Sequence, residues 1–133
     1  GLFANANDVG ILFQMMMNYG TYGGERYIKE TTLREWSKCQ FCESGNRRGI
    51  GFDRPTMTSK GPTCDCVSAS SFGHTGFTGI TAWADPESGI VYVFLSNRSN
   101  PVMDNPKIIT MGIRTRIQQV LVDAVNSATK RIE

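Results

Sequence analysis

No stretch of about 18 consecutive apolar residues occurs in the 133-residue chain, so no segment reads as a membrane-spanning helix. Neither sign of charge dominates. Fourteen basic and 12 acidic residues leave a net charge of +2, which gives no pull toward nucleic acid or a membrane surface. There is no glycine-rich phosphate cradle, no basic stripe interleaved with aromatics, and no Gly-x-Ser-x-Gly elbow for a nucleophilic serine. Carboxylates are scattered. Asp53, Asp85 and Glu87 fall at turns and strand ends, where capping or solvated roles are expected instead of paired acid–base work. Gly1-Leu2-Phe3 runs straight into a helical pattern and does not read as a basic leader before an apolar core, so any export signal is expected upstream. Histidine occurs once, at position 74.

What remains is the composition of one ordinary domain, 40% hydrophobic and 20% charged. Four cysteines stand as Cys39-x-x-Cys42 and Cys64-x-Cys66. Disulfides are the first expectation, free thiols the second, and a structural zinc site the third, because one arm is Cys-x-Cys where zinc sites favour Cys-x-x-Cys. No cofactor or metal is expected.

Periodicity predicts a first helix from about Asp8 to Tyr19, with Asn5 as N-cap and Ile11, Leu12, Met15, Met16 and Tyr19 on its inner face. The consecutive Met15–Met17 fit core packing at that spacing. A hairpin turns at Gly23-Gly24, and a short helix follows from about Lys29 to Ser37 with Leu33 and Trp36 facing inward. Gly49 to Asp53 reads as a strand, and Arg47-Arg48 as surface charge at its start. Residues 54–70 form a long loop, placed to wall a cleft. Phe72 to Ala84 and Ile90 to Ser96 read as two long strands joined at Asp85–Gly89. Pro106 suits a first helical position. Beyond it Ile108, Ile109, Ile113, Ile117, Val120, Leu121, Ala124, Val125 and Ala128 predict an inward stripe, which Gly112 can interrupt. The fold class expected is α+β: a three-stranded antiparallel sheet with a C-terminal helix packed on it and helices at the N-terminus.

The strand around His74 holds the sharpest signal. Gly73-His74-Thr75-Gly76-Phe77-Thr78-Gly79 places three glycines, hydroxyls and the one imidazole where a ligand could lie along a strand edge. On these residues alone, a glycine-rich bend entering a core strand, with His74 structural, is the more ordinary reading.

Gly73-His74-Thr75-Gly76 resembles the third motif of the penicillin-recognising serine hydrolases: class C β-lactamases, DD-peptidases and related esterases. Gly1-Leu2-Phe3 through Asp8 resembles that family's helix entry. Arg48-Gly49-Ile50-Gly51-Phe52 resembles its Gly-Leu-Gly-Phe strand, while Trp83–Pro86 and Val93–Arg98 resemble its last hairpin. The likeness is nearest to serine-hydrolase regions of Bacteroides-type cell-envelope proteins, some fused to a family 3 glycosidase. It implies a partial β-lactamase/transpeptidase-like fold, with residues 1–38 ending the helical part and 47–133 supplying the sheet and terminal helix. It implies an extracytoplasmic, periplasmic setting, and an acyl or peptide-like small substrate. His74, Thr75, Gly76 and the Phe77 backbone N–H are implied as catalytic, the last as an oxyanion donor, and Thr75, Thr78 and Gly79 as substrate-binding. Where the family often has lysine, His74 offers only conditional charge, which leans toward an esterase or peptidase.

The nucleophile is missing from this pattern. Ser127-x-x-Lys130 fits Ser-x-x-Lys in spacing alone, at the end of the terminal helix, and no Tyr-x-Asn occurs. The chain therefore reads as the C-terminal portion of such a hydrolase, inactive by itself. Its partner would be the missing N-terminal part of the same protein, and a bare strand edge beside Ile90–Ser96 would favour homo-oligomers. Two rivals stand beside this reading: a non-catalytic domain of the same fold binding a peptidoglycan-type ligand, and a zinc module built on the cysteines.

Overall fold

The computed structural model describes residues 2–56 and 61–129. Helices α1 (Ala6–Met17) and α2 (Glu30–Ser37) flank a small hairpin, β1 (Thr21–Tyr22) and β2 (Glu25–Arg26). A three-stranded antiparallel sheet follows, formed by β3 (Phe72–Thr75), β4 (Thr81–Asp85) and β5 (Ile90–Phe94) in that spatial order. Two helices close the chain, α3 (Lys107–Thr110) and α4 (Ile113–Thr129), divided by Gly112. The α+β class and the three-stranded antiparallel sheet are as predicted.

The membership of the sheet is not. Residues 49–53 do not form a strand. The Gly49 N–H bonds the Phe52 carbonyl at 2.8 Å, closing a tight turn, and only Asp53 bridges to Gly73. The predicted single strand from Phe72 to Ala84 is instead a hairpin, turning at residues 76–80 where Gly76 N–H bonds the Ile80 carbonyl. Two errors of opposite sign left the strand count unchanged.

Strand alternation sends two sets of side chains to opposite faces. Phe72, Ala84 and Val91 share one register row and face α1. Phe13 of α1 meets Phe52 edge-on there at 6.2 Å between ring centroids and stacks with Phe72 at 6.4 Å. Asn5 caps this helix, its side-chain oxygen accepting the Asp8 N–H at 3.0 Å. The buried face is Phe13 and Met15, with Val9, Met16 and Met17 packed against the core, whereas Ile11 and Leu12 are exposed. The inner stripe is therefore rotated from the predicted one. The apolar run at 11–17 supplies more candidates than one helix face can bury. In α2, Leu33 is buried but Trp36 is exposed.

On the other face lie Trp83 and Tyr92, paired across β4 and β5. Trp83, Tyr92, Gln118 and Val122 line one small pocket between sheet and α4. The buried residues of α4 are Gln118 and Val122, while Ile117, Val120, Leu121 and Val125 point to solvent. The predicted inward stripe is thus the outward one. Gln118 wins the inner position because its side-chain oxygen accepts the Cys64 N–H at 3.0 Å, satisfying a buried donor.

Each cysteine pair closes on itself, Cys39 with Cys42 and Cys64 with Cys66. The sulfurs are consumed as disulfides, so the zinc module has no thiolate ligands and is set aside.

Asp85 anchors the loop before β3. Its carboxylate accepts the Ser68 hydroxyl at 2.5 Å, the Ser68 N–H at 3.0 Å and the Glu87 N–H at 3.1 Å. Burial pushes its pKa up, but the hydrogen bonds from Ser68 and Glu87 outweigh it and hold the group below the usual carboxylate value. A carboxylate whose folded pKa is depressed stabilises the fold above its unfolded pKa, about 4, and that contribution is lost as pH falls through the folded pKa. The wild-type urea midpoint should therefore drop on acidification from pH 6 to pH 3 more steeply than that of Asp85→Asn. The variant should also be weaker at pH 6 by about 1–3 kcal/mol. Parallel pH profiles would contradict this role for Asp85.

Candidate functional site

A cleft of about 240 Å³ opens between the start of the chain and the β3–β4 hairpin. Leu2, Val9 and Phe13 form one wall, and His74, Thr75 and Gly76 the other. Three of the predicted site residues are thereby brought together. None of the described residues of the 54–70 loop lines this cleft, contrary to expectation. They are tied to α4 through Cys64 and to Asp85 through Ser68, and Arg54 donates to the carbonyls of Ser37, Ala69 and Ser70.

Local geometry explains the glycines. A Cβ at Gly73 would run into the Ala82 carbonyl and come within 2.6 Å of the Trp83 ring, so this residue is required for β3 to lie against β4. A Cβ at Gly76 would sit 2.5 Å from Ile80 Cγ1, inside the hairpin's own turn. The glycine spacing thus has a packing cause as well as the ligand-facing one.

Phe77 follows at the turn, two-thirds exposed. Among the described residues its N–H finds no protein acceptor, while its carbonyl accepts Arg98 Nε at 2.6 Å and its ring lies 4.6 Å under the Arg98 guanidinium. Arg98 also donates its backbone N–H to the Thr78 carbonyl at 2.8 Å and Nη1 to the Asn105 carbonyl at 3.1 Å. Thr78 and Gly79 lie on this Arg98 side of the turn and do not line the cleft. Gly79 packs toward Ser96 and Ile108. Sequence reasoning had no signal for Arg98 as the clamp on this turn, since its partners are backbone carbonyls about 20 residues away.

Arg48 and Asp53 were missed as well. Arg48 is not a free surface charge: its Nη1 lies 2.8 Å from His74 Nε2 and 2.8 Å from Asp53 Oδ1. The second contact is an ion pair set off the hydrogen-bonding direction. Asp53, expected to be solvated, is buried, with Arg47 Nη2 3.3 Å from its other oxygen. The His74 Nδ1 is 2.6 Å from the Thr75 carbonyl.

Among the described residues no serine–lysine pair lines the cleft. Ser127 lies at the exposed end of α4, and Lys130, like Ser59 and Lys60, is outside the described residues. No helix among the described residues is long and apolar enough to cross a membrane.

Comparison with known proteins bears on what the cleft is for. A family model described as Beta-lactamase matches residues 1–110. A protein of Salmonella agona named "Putative D-alanyl-D-alanine carboxypeptidase" is 30% identical over 109 residues. Proteins of the same name from Salmonella paratyphi B and Salmonella newport match to the same degree. The alignments cover 81% of this chain but 25% of each relative, so the chain spans about a quarter of the length of the curated proteins it matches.

Proposed function

Because the chain belongs to the beta-lactamase family, whose model covers residues 1–110, we propose that it is the substrate-lining C-terminal portion of a serine hydrolase that transfers acyl groups from amide or ester substrates. The polypeptide upstream supplies the attacking serine and its lysine. His74, Thr75 and Gly76 line the bound substrate, with the Thr75 hydroxyl as a hydrogen-bonding group. The Phe77 N–H donates a hydrogen bond to the carbonyl oxygen as it becomes an oxyanion. An amide in that position contributes about 3 kcal/mol to the transition state. Thr78 and Gly79 act from outside the cleft, by shaping the turn that presents this amide.

The observation that carries the reading is the Phe77 N–H itself. Among the described residues it is a backbone donor without a protein acceptor, directly after a cleft-lining His-Thr-Gly segment. Two further features support an upstream partner. Among the described residues strand β5 pairs with β4 alone, leaving its other edge open. The outer face of α4 presents Ile113, Ile117, Val120 and Leu121 around a groove of about 370 Å³. Patches of this kind mark interaction surfaces. In the absence of the upstream part, the same edge and face drive self-association of the chain. Two disulfides suit an extracytoplasmic envelope location. The likeness to envelope proteins carrying a glycosidase extends the proposal to a parent with more than one catalytic domain.

Covalent labelling tests it. The complete protein treated with a fluorophosphonate or penicillin probe should gain one adduct upstream of these 133 residues, and this chain none. Labelling of neither would replace acyl transfer with the non-catalytic, peptidoglycan-binding alternative. Labelling of this chain alone would mean that a nucleophile lies within it.

A further inference from the structure

We infer that Arg48, anchored on the buried Asp53, is a positioning residue for His74: it locks the imidazole in the Nδ1–H tautomer and sets a guanidinium charge directly behind this cleft-lining ring. The tautomer follows from donor and acceptor chemistry. Arginine has five N–H donors and no acceptor. At 2.8 Å from Arg48 Nη1, His74 Nε2 must therefore present its lone pair. A backbone carbonyl can only accept, so Nδ1, 2.6 Å from the Thr75 oxygen, must carry the hydrogen. The two contacts are independent and select the same neutral tautomer.

The anchor explains why Arg48 stays. Its side chain is half exposed and long, which ordinarily means conformational freedom. Here the nitrogen that meets His74 is also 2.8 Å from the carboxylate of Asp53, whose side chain is 2% exposed. Asp53 in turn is fixed to β3, its N–H and carbonyl pairing with Gly73 at 2.7 and 3.1 Å. A buried carboxylate on a residue whose main chain is pinned to a strand is a firm point for a guanidinium.

Two consequences follow for the site, and they rest on the acyl-transfer reading. With its Nε2 lone pair occupied, His74 is not a proton acceptor for a nucleophile or leaving group. The positive charge that the family often places on lysine in this motif sits instead on the guanidinium of Arg48. A conditional charge at position 74 is thereby backed by an unconditional one next to it.

The tautomer can be read without any activity assay. This chain has one histidine, so long-range ¹H–¹⁵N correlation of the ¹⁵N-labelled protein at pH 9 gives a single imidazole pattern. In the complete protein the His74→Gln variant identifies that pattern by its loss. The expected result is a protonated Nδ1 and a bare Nε2. In Arg48→Met only the Thr75 carbonyl still selects Nδ1–H, so the ring population should shift measurably toward the Nε2–H form that imidazole prefers in water, and in Arg48→Lys, which keeps a donor, it should shift back. A wild-type ring protonated on Nε2, or an Arg48→Met spectrum identical to the wild type, would overturn the inference. The wild-type spectrum decides even if a variant fails to fold. Failure of probe labelling alongside a confirmed Nδ1–H ring would discard the acyl-transfer reading and leave the Arg48–His74 arrangement standing.

Discussion

Replacing Val120 and Leu121 together by aspartate should leave this 133-residue chain as stable as before, yet destabilise the complete protein by about 4 kcal/mol or more. Val120 is 67% and Leu121 49% exposed in the single chain, so at a dilution where it does not self-associate charges at these positions stay in water. If the upstream polypeptide packs on this face of α4, the same charges are buried without partners. Such burial is among the few mechanisms that produce losses of this size. Paired urea titrations of the chain and the complete protein, each with and without the substitutions, make the comparison. Equal tolerance in both contexts would remove the face as a docking surface. An equal loss in both would mean that α4 sits differently on the sheet.

Trp83→Ala should cost about 3–5 kcal/mol. Trp83 is 1% exposed, at the middle of the central strand, opposite Gly73 on one side and Tyr92 on the other. Among the described residues its indole N–H has no acceptor, so the ring is expected to stabilise by packing. Gly73→Ala should cost about 1–3 kcal/mol through the reverse fault, a methyl forced against the same ring and the Ala82 carbonyl. The double variant should be less destabilised than the sum, because truncating the ring makes room for part of the new methyl. Circular dichroism in denaturant reads all three. Strict additivity would show that the Gly73–Trp83 contact is not what limits residue 73 to glycine.

The two classes of sequence signal fared differently for physical reasons. Local signals held. Asn5 caps α1, Gly23-Gly24 turns the hairpin, and Gly112 divides the last helix, because each depends on a few neighbouring residues. Signals that need a partner failed. Ile117, Val120 and Leu121 have helical periodicity, but periodicity says only that a face is apolar, not which body covers it. The polar Gln118 took the inner position through a hydrogen bond to a residue 54 positions earlier. The His-Thr-Gly segment was legible because its residues are contiguous. The Arg48–His74 contact joins residues 26 apart across a turn that had been read as a strand. Arg98 escaped notice in the same way.

The unequal burial of the two tryptophans gives the protein a built-in pair of optical reporters. Trp83, sealed between sheet and α4, should emit toward the blue and resist quenching by iodide. Trp36, 36% exposed on α2, should emit toward the red and quench readily. A blue shift and lost quenching at Trp36 on assembly with the upstream polypeptide would place α2 at the joint. An unchanged red component would keep α2 in solvent, with the sheet and its two flanking helices read separately through Trp83.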